Sequence, residues 1–550
     1  MMSEKLLFVP LGGSGEIGMN LNLYGYEDTW VMVDCGMMIS SESGRDEILV
    51  PEIEFLRDKR LAGLVLTHAH EDHIGAITDL WLELRCPIYA TPFTAAVVRR
   101  KLNESEIRER VPFKIQPPGG RFDIEPFNFE FVPITHSTVE SQALMIRTPV
   151  GNIFHTGDWK LDPDPLVGKV TAVKRIKELG AEGVLAVVGD STNAQIEGTS
   201  GSELGVRQRL RALIGESKQR VICASFSSNI ARLQTFLTIA EETGRSPVLV
   251  GRSMKRMVAA AQETGYLSRS VAFVPPRDAM FLPPERVLLV CTGSQGEARA
   301  ALSRIAAQTH PDIYLDEGDT VFFSSKVIPG NEREIEQLKR ALDQQGVRVI
   351  DEEEEPIHVS GHPCVDELKQ MYHWLTPQIL IPVHGYPPHL AAHAQVGRAC
   401  GIPDVIEVQN GDVVALEEES PGIIDSAPVG RRLRPPEPPF RGRGRGDRGR
   451  GRGDRGRGRG AGRRGRNSSE GRSDARRGSG RPPRGEGSSW LGDRSSEGRR
   501  SFIGNFQGRD AERDEGAGSN QRRGKRAQKK AKSGRQGGNP KGHRSWMGRN

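Results

Sequence analysis

The sequence has few cysteines and lacks any apolar run long enough to cross a membrane. Its six cysteines lie at positions 35, 86, 223, 291, 364 and 400, and no two of them form a CxxC pair. Scattered cysteines inside apolar runs are typical of buried side chains in a reducing compartment. A bilayer span needs roughly 18–20 apolar residues, and the N-terminus MMSEKLLFVPLGG is interrupted too early for a signal peptide. We therefore expect a soluble, cytoplasmic protein that does not bind membranes.

Acidic and basic residues are both abundant, but they are unevenly distributed along the chain. Residues 431–550 hold 36 Lys+Arg and 12 Asp+Glu, a net charge of +24. The totals of 77 basic and 71 acidic residues therefore leave 41 and 59 in residues 1–430, a net charge of −18. The two parts of the chain are physically different, and we analyse them separately.

The first 430 residues contain two kinds of secondary-structure pattern. Up to about residue 200, short β-rich runs such as KLLFVPL and WVMVDCG alternate with glycine-containing turns, and residues 74–84 have a helical period. From about 205 to 350, strands such as RVICASFS and VLLVCTGS alternate with helices, which predicts a doubly wound α/β unit. The length and apolar content are sufficient for two or three domains.

The C-terminal segment has little apolar sequence. Arg-Gly repeats fill residues 441–460, and Ser/Gly/Arg-rich and Lys-rich sequence follows. Such a composition cannot offset the entropy of folding, so we predict a disordered tail. The tail could simply keep the protein in solution, but a segment of this charge favours non-specific binding to RNA phosphates through counterion release.

The segment HAHEDH (68–73) follows the apolar run LAGLVL (61–66) after a single threonine. His68, His70, Asp72 and His73 lie within six positions, at a predicted strand exit and the start of a helix. Histidines two apart in an extended segment can converge on one cation, and the next pair can face a second. Imidazole and carboxylate donors without thiolate favour zinc or manganese at an open, catalytic site.

Further donors follow other apolar runs. His136 ends FVPITH, Asp158 lies in NIFHTGD, and His384 ends ILIPVH. With HAHEDH they make seven candidate ligands, enough for two cations bridged by one carboxylate. Such a pair can activate water and support displacement at phosphorus.

Taken in order, these motifs resemble those of a known family. HxHxDH followed by a histidine, an aspartate and a late histidine is similar to the metallo-β-lactamase superfamily. The α/β insert, VVGDST and HVSGH (358–362) resemble its β-CASP branch. PLGGSGEIGMN, GDWKLDP, TGSQGE and VIPGNE narrow the resemblance to the ribonuclease J family over about residues 5–415.

The resemblance implies the fold class and the domain order. The expected fold is α/β, a metallo-β-lactamase αββα sandwich with an inserted β-CASP α/β domain and a disordered Arg/Gly-rich C-terminal tail. The metallo-β-lactamase domain would occupy 1–204 and be completed by 351–428. The β-CASP domain would occupy 205–350, and the tail 429–550.

The resemblance also implies two Zn²⁺ per chain, with Mn²⁺ as the alternative. His68, His70, His136 and Asp158 would hold one ion. Asp72, His73, Asp158 and His384 would hold the other. The catalytic residues would be Asp72, Asp190 and His362, with Asp190 orienting a metal-bound histidine or taking part in proton transfer.

Substrate-binding residues follow from the same resemblance. The segment 358–362 would cradle the scissile phosphate, and 227–229 would form a phosphate-binding turn at a helix N-terminus. These residues are Ser227, Ser228, Asn229, His358, Val359, Ser360, Gly361 and His362. Ser227–Asn229 could instead be a simple helix cap, and Asp190 a structural turn.

Some neighbouring motifs have structural interpretations. GGSGEIG (12–18) favours a tight connection under the metal site over a dinucleotide loop, and Asp34 in VDCG indicates a scaffold turn. His155 is expected beside the ligands rather than among them. The sequence departs from the family at THSTVES (135–141) and at Tyr386, where the family often has glutamate, which affects no ligand.

The function implied is a zinc-dependent ribonuclease that hydrolyses RNA phosphodiester bonds in RNA maturation and decay. It would act 5′-to-3′ from a 5′-monophosphate and also cut internally. A DNA-directed nuclease of the same branch and a non-catalytic RNA-binding scaffold are the alternatives. All seven ligands are present, which argues against a scaffold. The tail stands where relatives carry a domain that assists self-association, so homo-oligomer formation stays open.

Overall fold

A computed structural model describes residues 5–40, 47–105, 107, 110–328 and 330–434. Its first thirteen strands are β1 Leu6–Gly12, β2 Leu21–Tyr26, β3 Thr29–Val33, β4 Met38–Ser40, β5 Glu47–Pro51, β6 Arg60–Val65, β7 Ile88–Ala90, β8 Phe113–Ile115, β9 Arg121–Ile124, β10 Phe127–Pro133, β11 Gln142–Arg147, β12 Asn152–His155 and β13 Ala186–Asp190. The later strands are β14 Val221–Ala224, β15 Ser246–Val250, β16 Val287–Cys291, β17 Thr320–Phe323, β18 Arg348–Ile350, β19 Ile379–Val383, β20 Asp404–Val405, β21 Asp412–Ala415, β22 Gly422–Ser426 and β23 Arg431–Leu433.

Helices connect many of these strands. They are α1 Glu71–Ile74, α2 Ile77–Leu84, α3 Pro92–Glu104, α4 Val173–Glu182, α5 Glu203–Glu216, α6 Ile230–Glu242, α7 Arg252–Glu263, α8 Pro276–Ala279, α9 Ala301–Ala306, α10 Glu332–Asp343, α11 Val365–Leu375 and α12 Pro387–Ala399. Two short 3₁₀ turns lie at Glu54–Leu56 and Pro284–Arg286. No helix among the described residues is both long and apolar enough to cross a bilayer.

Two large sheets form the centre of the part of the fold that contains β1–β13 and β19–β22. One has eight strands in the order β22-β21-β1-β2-β3-β6-β7-β8, and the other has seven in the order β20-β19-β13-β12-β11-β10-β9. In β1, Leu6 and Phe8 belong to the core between the sheets, whereas Val9 and Leu11 belong to the core on the opposite face. The period of two in the sequence therefore assigns alternate side chains to two layers.

The seven-stranded sheet is covered in the same way. Phe129 and Phe131 of β10 face the inter-sheet core, and Val132 faces a third core that contains Ile176 of α4 and Leu368 of α11. Helices therefore cover the outer faces of both sheets, which confirms the predicted αββα sandwich.

A separate five-stranded sheet has the order β15-β16-β14-β17-β18. All of its neighbouring strands pair in parallel. Its strands lie between residues 221 and 350, and helices such as α6, α7 and α10 connect them. Parallel strands that are apolar on both faces need helices on both sides, and this is the inserted α/β unit that strand–helix alternation predicted.

Two sequence-based boundaries differ from the structure. The helix predicted over 74–84 is divided, since α1 ends at Ile74 and α2 begins at Ile77, and Gly75 between them has no room for a Cβ, which would lie only 2.3 Å from the carbonyl oxygen of Glu71. The tail predicted to begin at 429 does not begin there, since Arg431–Leu433 forms β23 against β5. The rest of the predicted tail lies outside the described residues.

Candidate metal centre

Side chains from four separate segments converge in one cluster. They come from the segment after β6, from the exits of β10 and β12, and from the exit of β19. His68, His70, His136 and Asp158 each offer a donor atom within 4.8 Å of the others, and so do Asp72, His73, Asp158 and His384. All seven predicted ligands are therefore brought together, in the two predicted groups of four.

Asp158 lies at the centre of the cluster. Its Oδ2 is 3.1 Å from His73 Nε2, 3.6 Å from His68 Nε2 and 3.5 Å from His384 Nε2. The His136 Nε2 lies 3.8 Å from the same oxygen. One carboxylate therefore belongs to both groups, as a bridging ligand must.

The donor chemistry of the cluster fits bound divalent cations. His68 Nε2 is buried and has no hydrogen-bond partner among the described residues. An unsatisfied buried polar atom costs about 1–3 kcal/mol, whereas a cation at this position would accept its lone pair. Imidazole nitrogens and carboxylate oxygens without thiolate are the donor set of open zinc sites.

The other ring nitrogen of three ligands is held by a specific partner. His73 Nδ1 lies 2.7 Å from Asp34 Oδ2, and His384 Nδ1 lies 2.9 Å from Asn20 Oδ1. His136 Nδ1 lies 2.6 Å from the carbonyl oxygen of Gly361. Each of these acceptors fixes the proton on Nδ1 and leaves Nε2 free to bind a cation.

Asp34 does more than form the scaffold turn that the sequence indicated. Its Oδ1 accepts a hydrogen bond from the Thr67 backbone (2.9 Å), and its Oδ2 accepts one from Thr67 Oγ1 (2.8 Å). Thr67 Oγ1 in turn lies 3.0 Å from His68 Nδ1. Asp34 therefore orients two candidate ligands, His73 directly and His68 through Thr67, and the signal available in the sequence was a carboxylate directly after an apolar strand.

Backbone geometry allows these close approaches. Asp34 and His384 have φ values of +64° and +55°, in the left-handed region, and such strain is common at functional sites. A Cβ at Gly36 would lie 1.6 Å from the carbonyl oxygen of Asp72, and one at Gly361 would lie 2.6 Å from His136 Cε1. Glycine is required at both positions because the chain segments pass so closely.

Burial keeps most of the histidines neutral. It lowers the pKa of His70 to about 4 and holds the pKa values of His68 and His136 well below the usual range. Burial also opposes charge on His73, but the carboxylates of Asp158, Asp72 and Asp34 raise its pKa well above the usual value. The three carboxylates therefore favour the charged form of His73 in the metal-free protein.

A second polar cluster adjoins the ligands. His362 Nδ1 lies 2.8 Å from Asp190 Oδ2, and Asp190 Oδ1 also accepts the backbone N–H of Thr192 (2.9 Å). Burial lowers the pKa of His362, but Asp190 and the ligand carboxylates raise it to about 9. Asp190 thus contacts His362, which is not among the seven predicted ligands, and it also makes the turn contact that the sequence left open.

Asn193 also supports this cluster, and sequence reasoning did not identify it. Its Nδ2 donates to Ser360 Oγ (2.7 Å) and to the carbonyl oxygen of His362 (3.1 Å). The side chain therefore holds the 358–362 segment against the end of β13. Its only sequence signal was its position three residues after Asp190.

His358 is not brought into the ligand cluster. Its Nδ1 is buried without a hydrogen-bond partner among the described residues. Burial and the nearby cations Arg232, Lys160 and Lys326 hold its pKa well below the usual range. Val359, between His358 and Ser360, packs against an apolar core, so its side chain has a structural role.

The segment 227–229 lies at the start of α6. Asn229 is 5% exposed, and its Oδ1 accepts the backbone N–H of Arg232 (2.8 Å). This is the helix-cap alternative that the sequence left open for Asn229. Ser227 and Ser228 are both half-buried, so they are the members of the predicted phosphate-binding turn whose side chains are partly accessible.

Two neighbouring predictions can be located. The loop 12–18 lies beneath the last ligand, because the carbonyl oxygen of Gly13 accepts the backbone N–H of His384 (2.7 Å). His155 is buried and its Nδ1 lies 2.9 Å from the Tyr24 hydroxyl, so it is not a member of either ligand group.

Comparison with known proteins agrees with this architecture. Residues 29–175 match the model described as Beta-lactamase superfamily domain, and residues 218–342 match Ribonuclease J, beta-CASP domain. Residues 346–406 match Zn-dependent metallo-hydrolase RNA specificity domain. The fold and the site thus define a metallo-β-lactamase-type hydrolase with a β-CASP insert.

Similarity to whole proteins narrows the assignment. The chain is 44% identical to Ribonuclease J of Sinorhizobium meliloti over 435 residues, covering 78% of this chain and 77% of that protein. It is 35% identical to Ribonuclease J of Synechocystis, covering 78% and 69%, and 37% identical to that of Helicobacter pylori J99, covering 74% and 60%. The chain belongs to the ribonuclease J family.

A solved structure has a similar fold. A protein of unknown function from Enterococcus faecalis V583 superposes with a TM-score of 0.54 at 16% sequence identity, covering 75% of this chain and all of that one. At this identity the likeness concerns the fold alone.

Proposed function

We propose that the chain is a ribonuclease that hydrolyses phosphodiester bonds in RNA with two bound zinc ions, Mn²⁺ being the alternative metal. The observation that carries the proposal is the pair of four-donor groups that share Asp158. Two cations bridged by a carboxylate suit in-line displacement at phosphorus. RNA as the substrate is supported by the relatives named Ribonuclease J and by the match to an RNA specificity domain.

The proposed ligands are those that the sequence indicated. One ion would be held by His68, His70, His136 and Asp158, and the other by Asp72, His73, Asp158 and His384. When bound, the two cations supply a water of lowered pKa and neutralise negative charge at the phosphate.

His362 is the proposed general acid. In the metal-free protein Asp190 and the neighbouring carboxylates raise its pKa to about 9, which favours the protonated imidazole. Asp190 holds Nδ1 at 2.8 Å, which leaves Nε2 available to give a proton to the leaving 3′-oxygen. Asn193 and Ser360 keep the His362 segment in place through the 2.7 Å contact described above.

The scissile phosphate is proposed to bind between the 358–362 segment and the start of α6. Backbone donors at the N-terminus of a thirteen-residue helix suit an anion. Ser227 and Ser228 can add hydroxyl donors there. Asn229 would contribute by shaping the turn, since its side chain caps the helix.

We further propose 5′-to-3′ digestion from a 5′-monophosphate end, together with internal cleavage, giving products with 5′-phosphates. The test is digestion of a 5′-monophosphate RNA labelled at either end, beside a DNA of the same sequence. Wild type should release mononucleotides from the 5′ end of the RNA, and His73→Ala should abolish this release. The matched control is His373→Ala, which alters an exposed histidine of α11.

Several results would contradict this proposal. Activity that survives His73→Ala would show that the ligand cluster is not the hydrolytic centre. Faster cleavage of the DNA would support the DNA-directed alternative. RNA binding without any cleavage by wild type would support the scaffold alternative.

The basic tail is proposed to hold RNA beside a body that is itself acidic. Residues 1–430 carry a net charge of −18 and would otherwise repel the substrate. A chain ending at 434 should bind long RNA more weakly, and the slope of log affinity against log salt should flatten by about 0.7 for each lost phosphate contact. Cleavage of a short oligonucleotide should change little. An unchanged affinity and slope would refute this role.

The cytoplasm is the proposed compartment. All six cysteines are free thiols, and five of them are buried. Secreted proteins commonly pair their cysteines, so this set supports a reducing environment. Fractionation of cells that produce the full chain would test it, and recovery outside the cytoplasmic fraction would contradict it.

A further inference from the structure

The last described residues make a set of ion pairs that no sequence motif indicated. Strand β23 pairs antiparallel with β5, and its flanks add backbone hydrogen bonds from Glu52 to Gly430 and from Arg434 to Ile48. We call residues 430–434 the clasp. It contains three arginines, and each of them pairs with a carboxylate of the metallo-β-lactamase domain.

Arg431 is linked to the segment beneath His384. Its Nη2 lies 2.7 Å from Glu16 Oε2, and the Glu16 side chain is only 3% exposed. Glu16 Oε1 accepts hydrogen bonds from Asn410 Nδ2 (2.7 Å) and from the backbone of Gly13 (3.4 Å). The Gly13 carbonyl oxygen holds the His384 backbone at 2.7 Å, so this path ends at a proposed ligand.

Arg434 is linked to the helix that carries Asp72 and His73. Its Nη2 donates to the carbonyl oxygen of Gly75 (2.7 Å), at the C-terminal end of α1, and its Nε donates to Asp79 Oδ1 (2.8 Å). A second guanidinium nitrogen contact to Asp79 makes the pair bidentate. The two side chains are 17% and 19% exposed, so solvent screens this pair less than a surface one.

Arg432 differs from the other two arginines. It pairs with Glu52 and Glu83, which lie on neither the loop beneath His384 nor the 68–76 segment. Arg432 therefore provides an internal control, because it is an arginine of the same strand whose side chain contacts residues away from the candidate ligands.

We propose that the clasp positions the ligand group of Asp72, His73, Asp158 and His384, so that Arg431 and Arg434 set the affinity of one of the two metal positions. This inference rests on the proposed function, because it requires that cations bind. The contacts of Arg431 and Arg434 end on segments that carry three of the four donors of that group. Among the described residues, the clasp makes no hydrogen bond to His68, His70 or His136 themselves, and Arg434 reaches the 68–76 segment only after His73, at Gly75.

The physical reason is that each arginine is a hydrogen-bond partner of groups that support the metal-binding side chains. These groups are the carboxylates of Glu16 and Asp79 and the carbonyl oxygen of Gly75. Without Arg431, the buried Glu16 carboxylate would lose its charged partner, and the loop under His384 would have to relax. Without Arg434, the Gly75 carbonyl oxygen at the end of α1 would lose its side-chain donor, and Asp79 of α2 would lose a bidentate pair. Changing the partners that orient metal ligands costs about 10–100-fold in metal affinity, and we expect about tenfold here because the clasp acts through an intermediate residue.

The experiment measures metal release from the full-length protein loaded with Co²⁺, as a chelator is titrated and the visible absorption of the bound ions is followed. Wild type should release two ions in two steps. Arg431→Gln and Arg434→Gln should each weaken one step about tenfold and leave the other unchanged, whereas Arg432→Gln should release both ions like wild type. Arg434→Lys keeps the charge without the fork of donors and should not restore the affinity.

The possible outcomes separate this inference from the proposed function. Two-step release that is the same in wild type and all three glutamine variants would overturn the clasp and leave the proposed function standing. Equal weakening by Arg432→Gln would mean a general loss of stability, which also overturns it. A wild type that binds no Co²⁺ or Zn²⁺ would overturn both. Two truncated chains provide a supporting test. A chain ending at 434 should release both ions like wild type, and a chain ending at 428 should bind one of the two ions more weakly.

Discussion

Asp34→Asn should weaken metal binding although Asp34 is not itself a ligand. The carboxylate accepts hydrogen bonds from His73 Nδ1 (2.7 Å), from Thr67 Oγ1 (2.8 Å) and from the Thr67 backbone (2.9 Å). Asparagine has nearly the same shape, but it has no charge and only one acceptor oxygen. It cannot accept from both sides, and its NH₂ would face one of these donors.

The expected magnitude follows from this loss. Hydrogen bonds to a charged group are worth about 1.5–3 kcal/mol, and about 1.4 kcal/mol corresponds to a factor of ten. Metal affinity should therefore fall about 10–100-fold, which agrees with the usual effect of changing the partner of a ligating histidine. Since Asp34 also reaches His68 through Thr67, both metal positions should be affected.

The assay is competition between the protein and a chelator for Zn²⁺, combined with thermal unfolding of the metal-free form. The matched control is Asp319→Asn, because Asp319 is 1% exposed and accepts hydrogen bonds from Arg220 and from the Asp316 backbone, just before strands β14 and β17 of the five-stranded sheet. The control should lose stability but keep its zinc affinity. If Asp34→Asn binds zinc as wild type does, or if the two variants lose affinity equally, the positioning role of Asp34 is refuted.

Three other predictions concern proton transfer, stability and metal removal. Asp190→Asn removes a carboxylate that raises the pKa of His362 to about 9, so the fall in the cleavage rate at alkaline pH should shift to lower pH, and an unshifted pH–rate profile would contradict the pairing. In wild type, Arg232 lies 3.0 Å from Glu203, and both side chains are at most 3% exposed. Arg232→Met leaves the Glu203 carboxylate buried without its cation, so urea unfolding should show that the free energy of unfolding falls by about 3–5 kcal/mol. The double variant Arg232→Met/Glu203→Leu should recover part of this loss. Removing zinc with a chelator should lower the Tm, since free metal at 100 times its Kd stabilises each site by about 2.7 kcal/mol, and a Tm unaffected by chelation would argue against bound metal.

Local motifs predicted the candidate ligands better than the residues that hydrogen-bond to those ligands. His68, His70, Asp72 and His73 are neighbours in the chain, so their spacing alone indicates a shared cation. Side chains at the ends of apolar strands also stood out, because a polar group placed there needs a partner. The partners of the ligands were not predictable in this way. Asp34 looked like a turn residue, and Asn20 had no distinguishing neighbour in the sequence.

The amino-acid sequence by itself determined the strand and helix types, the two-part charge distribution and the set of candidate ligands. Period-two runs, strand–helix alternation and the spacing of HAHEDH are properties of short segments, and hydrophobic burial acts on them locally. The parallel insert and the sandwich followed from these patterns together with the family resemblance.

The tertiary structure alone decided which distant residues meet. Asp190 lies opposite Val383 in the parallel register of β13 and β19, which brings it to the same sheet edge as His384. His362 pairs with Asp190 across 172 residues, and Arg431 reaches Glu16 across 415. These pairs depend on strand order and register, which arise from packing of the whole chain rather than from any short stretch of sequence.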